Sequence, residues 1–214
     1  MSDGAVAGRK SMRKLYGGRL SLDFANTVEP RAAQPQYDYL DGYADLVRWA
    51  RHAGTLDDAQ AERLLDAAAT RPAAAGASFA SAIALREATY RVFAAIAHDA
   101  TPDAADLDVL TRAYAEALGH ARLRPAADQL AWTWEEDALD RAWWPVARDA
   151  VELASAGPFD RVKQCPPGCA FLFFDATKNR IRRWCSMDEC GCQEKAKRQT
   201  ARRRRARAQT RAKA

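Results

Sequence analysis

Just after Gly17-Gly18, Leu20, Leu22 and Phe24 alternate with Arg19, Ser21 and Asp23. A two-residue period with one apolar face predicts a strand over 19–24. Pro30 and Pro35 then mark an irregular connection. Further on the period lengthens. Tyr43, Leu46, Val47 and Ala50 fall at helical spacing within 41–53, and Gly54 supplies a stop. Thr55 or Asp57 can cap a second helix over 58–70, with Leu64 and Leu65 on its inner face. Residues 71–76, rich in Pro, Ala and Gly, read as a linker. The longest periodic run, 79–100, sets Phe79, Ile83, Tyr90, Phe93 and Ile96 near one face and predicts a core helix. Pro102 and Asp103 open another helix, which Gly119 ends. Residues 121–124 and 129–134 read as a short hairpin around Pro125. Glu135, Glu136 and Asp137 suit the first turn of a helix over 137–155, which Pro145 would kink. The pattern is mainly α with a few short strands, an α+β chain.

Composition changes the picture at one place. Hydrophobic residues make up 48% of 214 positions, a globular proportion. No apolar run approaches the ~18 residues that span a bilayer. The basic N-terminal residues are followed by no apolar stretch, so neither a secretory signal nor a membrane anchor is expected, and the expected compartment is the cytoplasm, at the nucleoid. Charge, however, is uneven. Residues 1–159 carry a net −6 and residues 160–214 a net +11. Gly157-Pro158 is the natural boundary, which predicts a body over 1–157, a small module over 158–200 and a basic tail over 201–214.

All five cysteines lie between positions 165 and 192. A disulfide framework would staple the larger part and leave no odd thiol, so the cluster reads as metal ligands. Pro166-Pro167-Gly168 bends the chain between Cys165 and Cys169, and fifteen residues separate that pair from Cys185. Two close pairs at this separation form the pattern of a four-thiolate zinc site, the last ligand being Cys190 or Cys192. The module's apolar content is thin (Phe171, Leu172, Phe173, Phe174, Ile181, Trp184, Met187), so a metal would supply the missing folding energy.

From Glu194 onward the chain has no aromatic, no large aliphatic, no Gly and no Pro. Its Ala, Arg, Lys and Gln favour a helix starting near Asp188, but without an apolar stripe the last ten or so residues are expected to be disordered when free. Lys195, Lys197, Arg198, Arg202, Arg203 and Arg205 are candidate phosphate contacts, together with Arg182 and Arg183 upstream. The secondary reading of Arg182, Arg183 and Lys195 is that they offset the negative charge of a zinc–thiolate centre.

Arg182-Arg183-Trp184-Cys185-Ser186-Met187, then Cys190-Gly191 and Lys195, preceded by Phe173, Asp175 and Asn179, closely resembles the CGNR zinc finger. Asp23-Phe24-Ala25-Asn26-Thr27 and the later Leu85-Arg86-Glu87-Ala88 resemble the hallmarks of the ABATE domain. The resemblance implies a helical, ligand-sensing ABATE-like domain followed by a small treble-clef-like finger that binds DNA. It implies one Zn2+ per chain on Cys165, Cys169, Cys185 and Cys190, with Cys192 left out. It also implies a stress-responsive transcriptional regulator. One departure stands out. Where the family has Asn-Arg after Cys-Gly, this chain has Cys192-Gln193.

Asp23, Asn26, Thr27 and Arg86 are polar groups inside apolar segments. They read as an effector pocket, with Arg86 for an anionic group, or as a buried Asp23–Arg86 pair with turn-forming Asn26 and Thr27. His52, His98 and His120 have no metal or triad spacing, and no nucleophile elbow, Walker loop or dinucleotide fingerprint is present, so no enzyme is expected. The sequence thus predicts a zinc-dependent DNA-binding regulator with a small-molecule effector. An RNA-binding or ribosome-associated protein, or an enzyme with a pocket in the body, is the alternative. A homodimer would widen the readout of one finger.

Overall fold

The computed structural model describes residues 14–32, 34–134, 138–166 and 168–211. Helices dominate. The N-terminal body holds α1 (Leu20–Ala25), α2 (Tyr43–His52), α3 (Asp58–Thr70), α4 (Pro72–Ala97), α5 (Ala104–Gly119) and α6 (Trp144–Ala156). Three antiparallel two-stranded sheets occur among the described residues: β1 (Val28–Glu29) with β2 (Tyr37–Asp38), β3 (Ala121–Ala126) with β4 (Gln129–Trp134), and β5 (Val162–Gln164) with β6 (Leu172–Phe174). The long helix α7 (Cys192–Arg211) is the last element among the described residues.

The predicted strand over 19–24 is instead the helix α1, and its surroundings explain the misreading. Ser21, Leu22, Asp23, Phe24 and Ala25 are all buried, so the alternation does not separate an inner from an outer face. The polar members are satisfied inside. Asp149 of α6 accepts from the Ser21 backbone N–H (2.8 Å) and hydroxyl (2.5 Å) and from Arg19 Nε (2.9 Å). Once such partners exist, a buried polar side chain is no longer a mark of solvent.

Two more expectations fall to proline. Residues 71–76 are not a linker, because Pro72 opens the 26-residue helix α4 at its first turn, where its missing N–H has no intrahelical partner to lose. Pro145 likewise starts α6 rather than kinking a longer helix, and a 3-10 turn over Leu139–Ala142 precedes it. The predicted acidic first turn, Glu135 to Asp137, lies outside the described residues. The hairpin forms, but Pro125 sits within β3 opposite Leu130, and the turn falls at Ala127 (φ 50°) and Asp128. Elsewhere local chemistry decides as expected. Asp57 and Gln60 form a reciprocal capping box on α3, and Asp103 caps α5. The tail is helical to Arg211, in line with its helix-forming composition, where disorder was expected for the last ten residues.

The body core gathers Leu22, Phe24, Leu46, Trp49, Leu64, Leu85, Phe93, Trp143 and Trp144. A second, smaller core holds Cys165, Phe171, Phe173 and Cys185, with Tyr16, Cys169, Trp184 and Cys190 packed on it. Strand β6 joins the two. Leu172 faces the body core, and Phe171 and Phe173 on either side face the small one, a strand's two faces serving two cores.

Candidate metal centre and basic helix

Three local structures bring the thiols together. Cys165 leaves the end of β5, and its N–H donates to Phe171 O (2.7 Å), which closes the turn carrying Cys169. Cys185 follows Trp184 in a connection pinned by Arg182. Cys190 lies in a single π-helical turn, Met187–Gly191, capped by Ser186 Oγ, which accepts from Glu189 N–H (3.3 Å). Gly191 lets the Met187 side chain lie close over the turn, since a Cβ there would push Met187 Sδ aside and come within 3.4 Å of Trp184 Cδ1.

The sulfurs of Cys165, Cys169, Cys185 and Cys190 all lie within 4.8 Å of one another. Cys169 and Cys185, and Cys185 and Cys190, are 3.6 Å apart at sulfur. A tetrahedron with Zn–S bonds of about 2.3 Å has edges of about 3.8 Å, so the cluster has the size of a zinc–tetrathiolate. Cys192 is exposed at the start of α7 and outside the cluster. Ionisation agrees with the fit. Hydrogen bonds from the Cys169 and Cys185 thiols lower Cys165 to about 4. The same bonds raise Cys169 and Cys185, and burial raises Cys190. A dication bound among them displaces the protons the thiols still hold. One zinc ion per chain suits this donor set.

The finger is fastened to the body by residues that the sequence suggested for ligand binding. Asn26 donates from Nδ2 to Leu172 O (2.8 Å) and accepts at Oδ1 from Leu172 N–H (2.9 Å). Next along the same edge of β6, Phe174 N–H donates to Gly17 O (2.7 Å). Gly17 is in turn held by Asp23, whose carboxylate accepts its N–H at 2.6 Å. A Cβ on Gly17 would strike the Asp23 backbone N at 2.7 Å, so only glycine permits this approach. Burial, opposed by backbone hydrogen bonds, raises the Asp23 pKa to about 6. Thr27 Oγ1 donates to Phe24 O (2.8 Å).

Arg86 does not pair with Asp23. It is 3% exposed and grips Asp38 of β2 with two bonds of 2.7 Å, while its Nε reaches Glu87 (2.8 Å). The four candidate effector residues are therefore all engaged in the fold. The hollow bordered by Asp23, Asn26 and Thr27 measures about 20 Å³, room for about one water.

Arg182 is also spent internally. Its guanidinium donates to Tyr16 O (2.9 Å), Trp184 O (3.0 Å), Phe174 O (3.3 Å) and Cys185 O, and lies 4.6 Å over the Phe173 ring. It organises the Cys185 turn rather than facing outward, which corrects its reading as a phosphate contact. Arg183, Lys195, Arg198, Arg202 and Arg203 are exposed. Arg198 pairs with Glu194 one turn before it (3.0 Å). Lys197 and Arg205 belong to the same helix, but their side chains lie outside the described set. The open side of the sulfur cluster faces a hollow of about 150 Å³ bordered by Glu29, Glu189 and Glu194, an acidic rim unlike the helix beyond it.

Asn26's role was missed because an amide paired with a strand edge looks, in sequence, like any polar residue in a turn. No helix among the described residues is long and apolar enough to cross a membrane. Comparison with known families gives two matches. The ABATE family, described as "Putative stress-induced transcription regulator", matches residues 18–157, and the CGNR zinc finger matches residues 161–208. No curated protein matches the chain.

Proposed function

The chain belongs to the ABATE family and ends in a CGNR zinc finger, and from that premise we propose that it is a zinc-dependent transcription regulator that binds duplex DNA in the cytoplasm, at the nucleoid. The observation that carries this reading is the course of α7. The helix leaves the metal-bearing turn two residues after Cys190 and runs for 20 residues, about 30 Å, with exposed Lys195, Arg202 and Arg203 along it. A cationic rod fixed at one end by a metal cluster presents charge along its length without ordering a flexible tail first. Zinc acts by holding four thiolates together. Arg182, Ser186 and Gly191 shape the turns that aim the helix.

The acidic body is proposed to sense a small effector. Its open trough, about 310 Å³ and bordered by Leu20, Trp134, Arg148 and Glu152, is large enough for a small ligand and offers an indole wall beside a guanidinium. The basic tail over 201–214, of which residues 201–211 continue α7, is proposed to strengthen binding without reading sequence.

Fluorescence anisotropy with a labelled duplex, repeated from 50 to 200 mM salt, tests the reading. Five engaged phosphates give a log–log slope of about −4.5, at about 0.9 per phosphate, and a loss of several hundred-fold over that range. Chelation of the metal should abolish the binding. Salt-independent binding, no binding, or a strong preference for structured RNA in competition would overturn it.

A further inference from the structure

We propose that the loop from Thr177 to Arg183 is a second, preformed DNA-contacting element, in which Lys178 and Arg183 hold phosphates and Ile181 makes an apolar contact to the groove between them. The inference rests on the DNA-binding reading above and adds a site to it.

The loop is rigid for a stated reason. Asp175 is fully buried at its base. Its Oδ1 accepts from Thr177 N–H (3.0 Å) and hydroxyl (2.6 Å), and its Oδ2 from Arg182 N–H (2.9 Å) and Lys163 Nζ (2.6 Å). Lys163 Nζ also donates to Arg180 O and Arg182 O, the carbonyls on either side of Ile181. Ile181 N–H donates to Thr177 Oγ1 (3.2 Å), and Arg180 takes a left-handed φ of 53°. Ile181 is therefore held from both flanks by a buried ion pair and a turn. The Lys163 ammonium and the hydrogen bonds around Asp175 keep that carboxyl well below the usual range despite its burial.

What this scaffold presents is unlike the rest of the surface. From Ala176 to Arg183 there are four cations, Lys178, Arg180, Arg182 and Arg183, and no acid. Arg182 faces inward, as described, and Arg180 is paired with Asp160. Lys178 and Arg183 remain exposed, with Arg183 lying 5.9 Å over the Trp184 ring. Between them stands Ile181, 71% exposed, the most exposed large hydrophobic side chain among the described residues. A single exposed aliphatic residue on a surface is ordinary. A β-branched one fixed at the tip of a stiff, acid-free, cationic loop matches how groove-binding proteins combine phosphate clamps with an apolar contact. Trp184 follows the loop directly and lies beside Gly191 at the entry to α7, where an added Cβ would come within 3.4 Å of its ring. Both elements thus extend from one metal centre.

Three variants of the full zinc-loaded chain separate charge from apolar contact: Lys178→Ala, Arg183→Ala and Ile181→Ser. Each is assayed by anisotropy on one duplex across the salt series, with metal content and melting temperature as controls. Lys178→Ala and Arg183→Ala should each flatten the log–log salt slope by about 0.9. Ile181→Ser should weaken binding about 5- to 20-fold at every salt concentration with the slope unchanged, because no counterion release is involved. If the wild-type chain binds DNA and all three variants match it in affinity and slope, the loop is not a contact and this proposal falls while the general reading stands. If the wild-type chain binds no duplex, both fall.

Discussion

Single side chains decide what the cluster binds and how the body answers to pH. Cys192 sits two positions beyond Cys190 yet stays exposed and outside the cluster. Cys192→Ser should therefore keep one zinc per chain by elemental analysis, and Cys185→Ser should lose it, because Cys185 is buried at the centre of the cluster's short contacts. Asp23 makes a second residue-level prediction. The folded chain holds its proton up to about pH 6, where the ordinary carboxylate value is 3.8. The stabilisation due to that proton is complete below about pH 4 and lost as pH rises through 6, which leaves a cost of about 3 kcal/mol at neutral pH. Asp149, itself bound to Arg19 and Ser21, is the nearby charge that adds to this cost. Asp23→Asn keeps an acceptor for the Gly17 N–H and removes the charge. Its urea midpoint relative to wild type should rise between pH 5 and pH 7.5, and an unchanged difference across that window would show that Asp23 titrates normally.

At the level of elements, what could be read in the sequence follows how locally each element is determined. The boundaries of α3 and the presence of the hairpin were legible because caps and short strands act over a few residues, as Asp57 on α3 illustrates, while the turn of the hairpin fell two residues beyond Pro125. The four zinc thiols were legible because metal spacing is a short-range constraint. Helix α1 was not, since its identity depends on Asp149, more than 120 positions away. Neither was the purpose of Asn26, because its partner Leu172 lies 146 positions away and is settled only by packing, whereas the Thr27 bond to Phe24 is the local turn contact the sequence offered. The Asp23–Thr27 string caps the outer edge of β6, whose other edge pairs with β5. An edge so capped cannot recruit a foreign strand and cannot shift register. Asn26→Asp keeps the acceptor for Leu172 N–H and sets a carboxylate against Leu172 O. It should cost about 1–3 kcal/mol and, because β6 begins three residues after Cys169, speed zinc loss to a competing chelator. A lower melting temperature with unchanged zinc release would separate the edge cap from the metal turn.

For the whole molecule, these contacts mean that body and finger unfold together. Val162 and Leu172 of the finger's sheet lie in the body core. Tyr90 of α4 donates to Ala170 O (3.1 Å) and accepts from Gln164 (3.0 Å), while Arg31 N–H reaches Cys169 O (3.2 Å). Arg182 and Tyr16 extend the same net to the Cys185 and Cys190 turns, the latter through Tyr16 OH to Glu189 (2.5 Å). Metal binding that stabilises the finger must then stabilise the helices it rests on, because anything bound only by the folded chain adds to its stability. Five of the six tryptophans lie in the body, before residue 158. Their fluorescence and the helical circular dichroism signal should therefore melt in one transition in the zinc-loaded chain. Chelation should lower that common midpoint by about 2–4 °C for each kcal/mol of metal-linked stability lost. A hinged finger behaves otherwise, since stripping the metal would erase only the local signal of Trp184 and leave the body's midpoint where it was. The same coupling joins the body to α7, because any strain on α1 pulls on Gly17 and Asn26, and through them on the strand that leads from the metal turn.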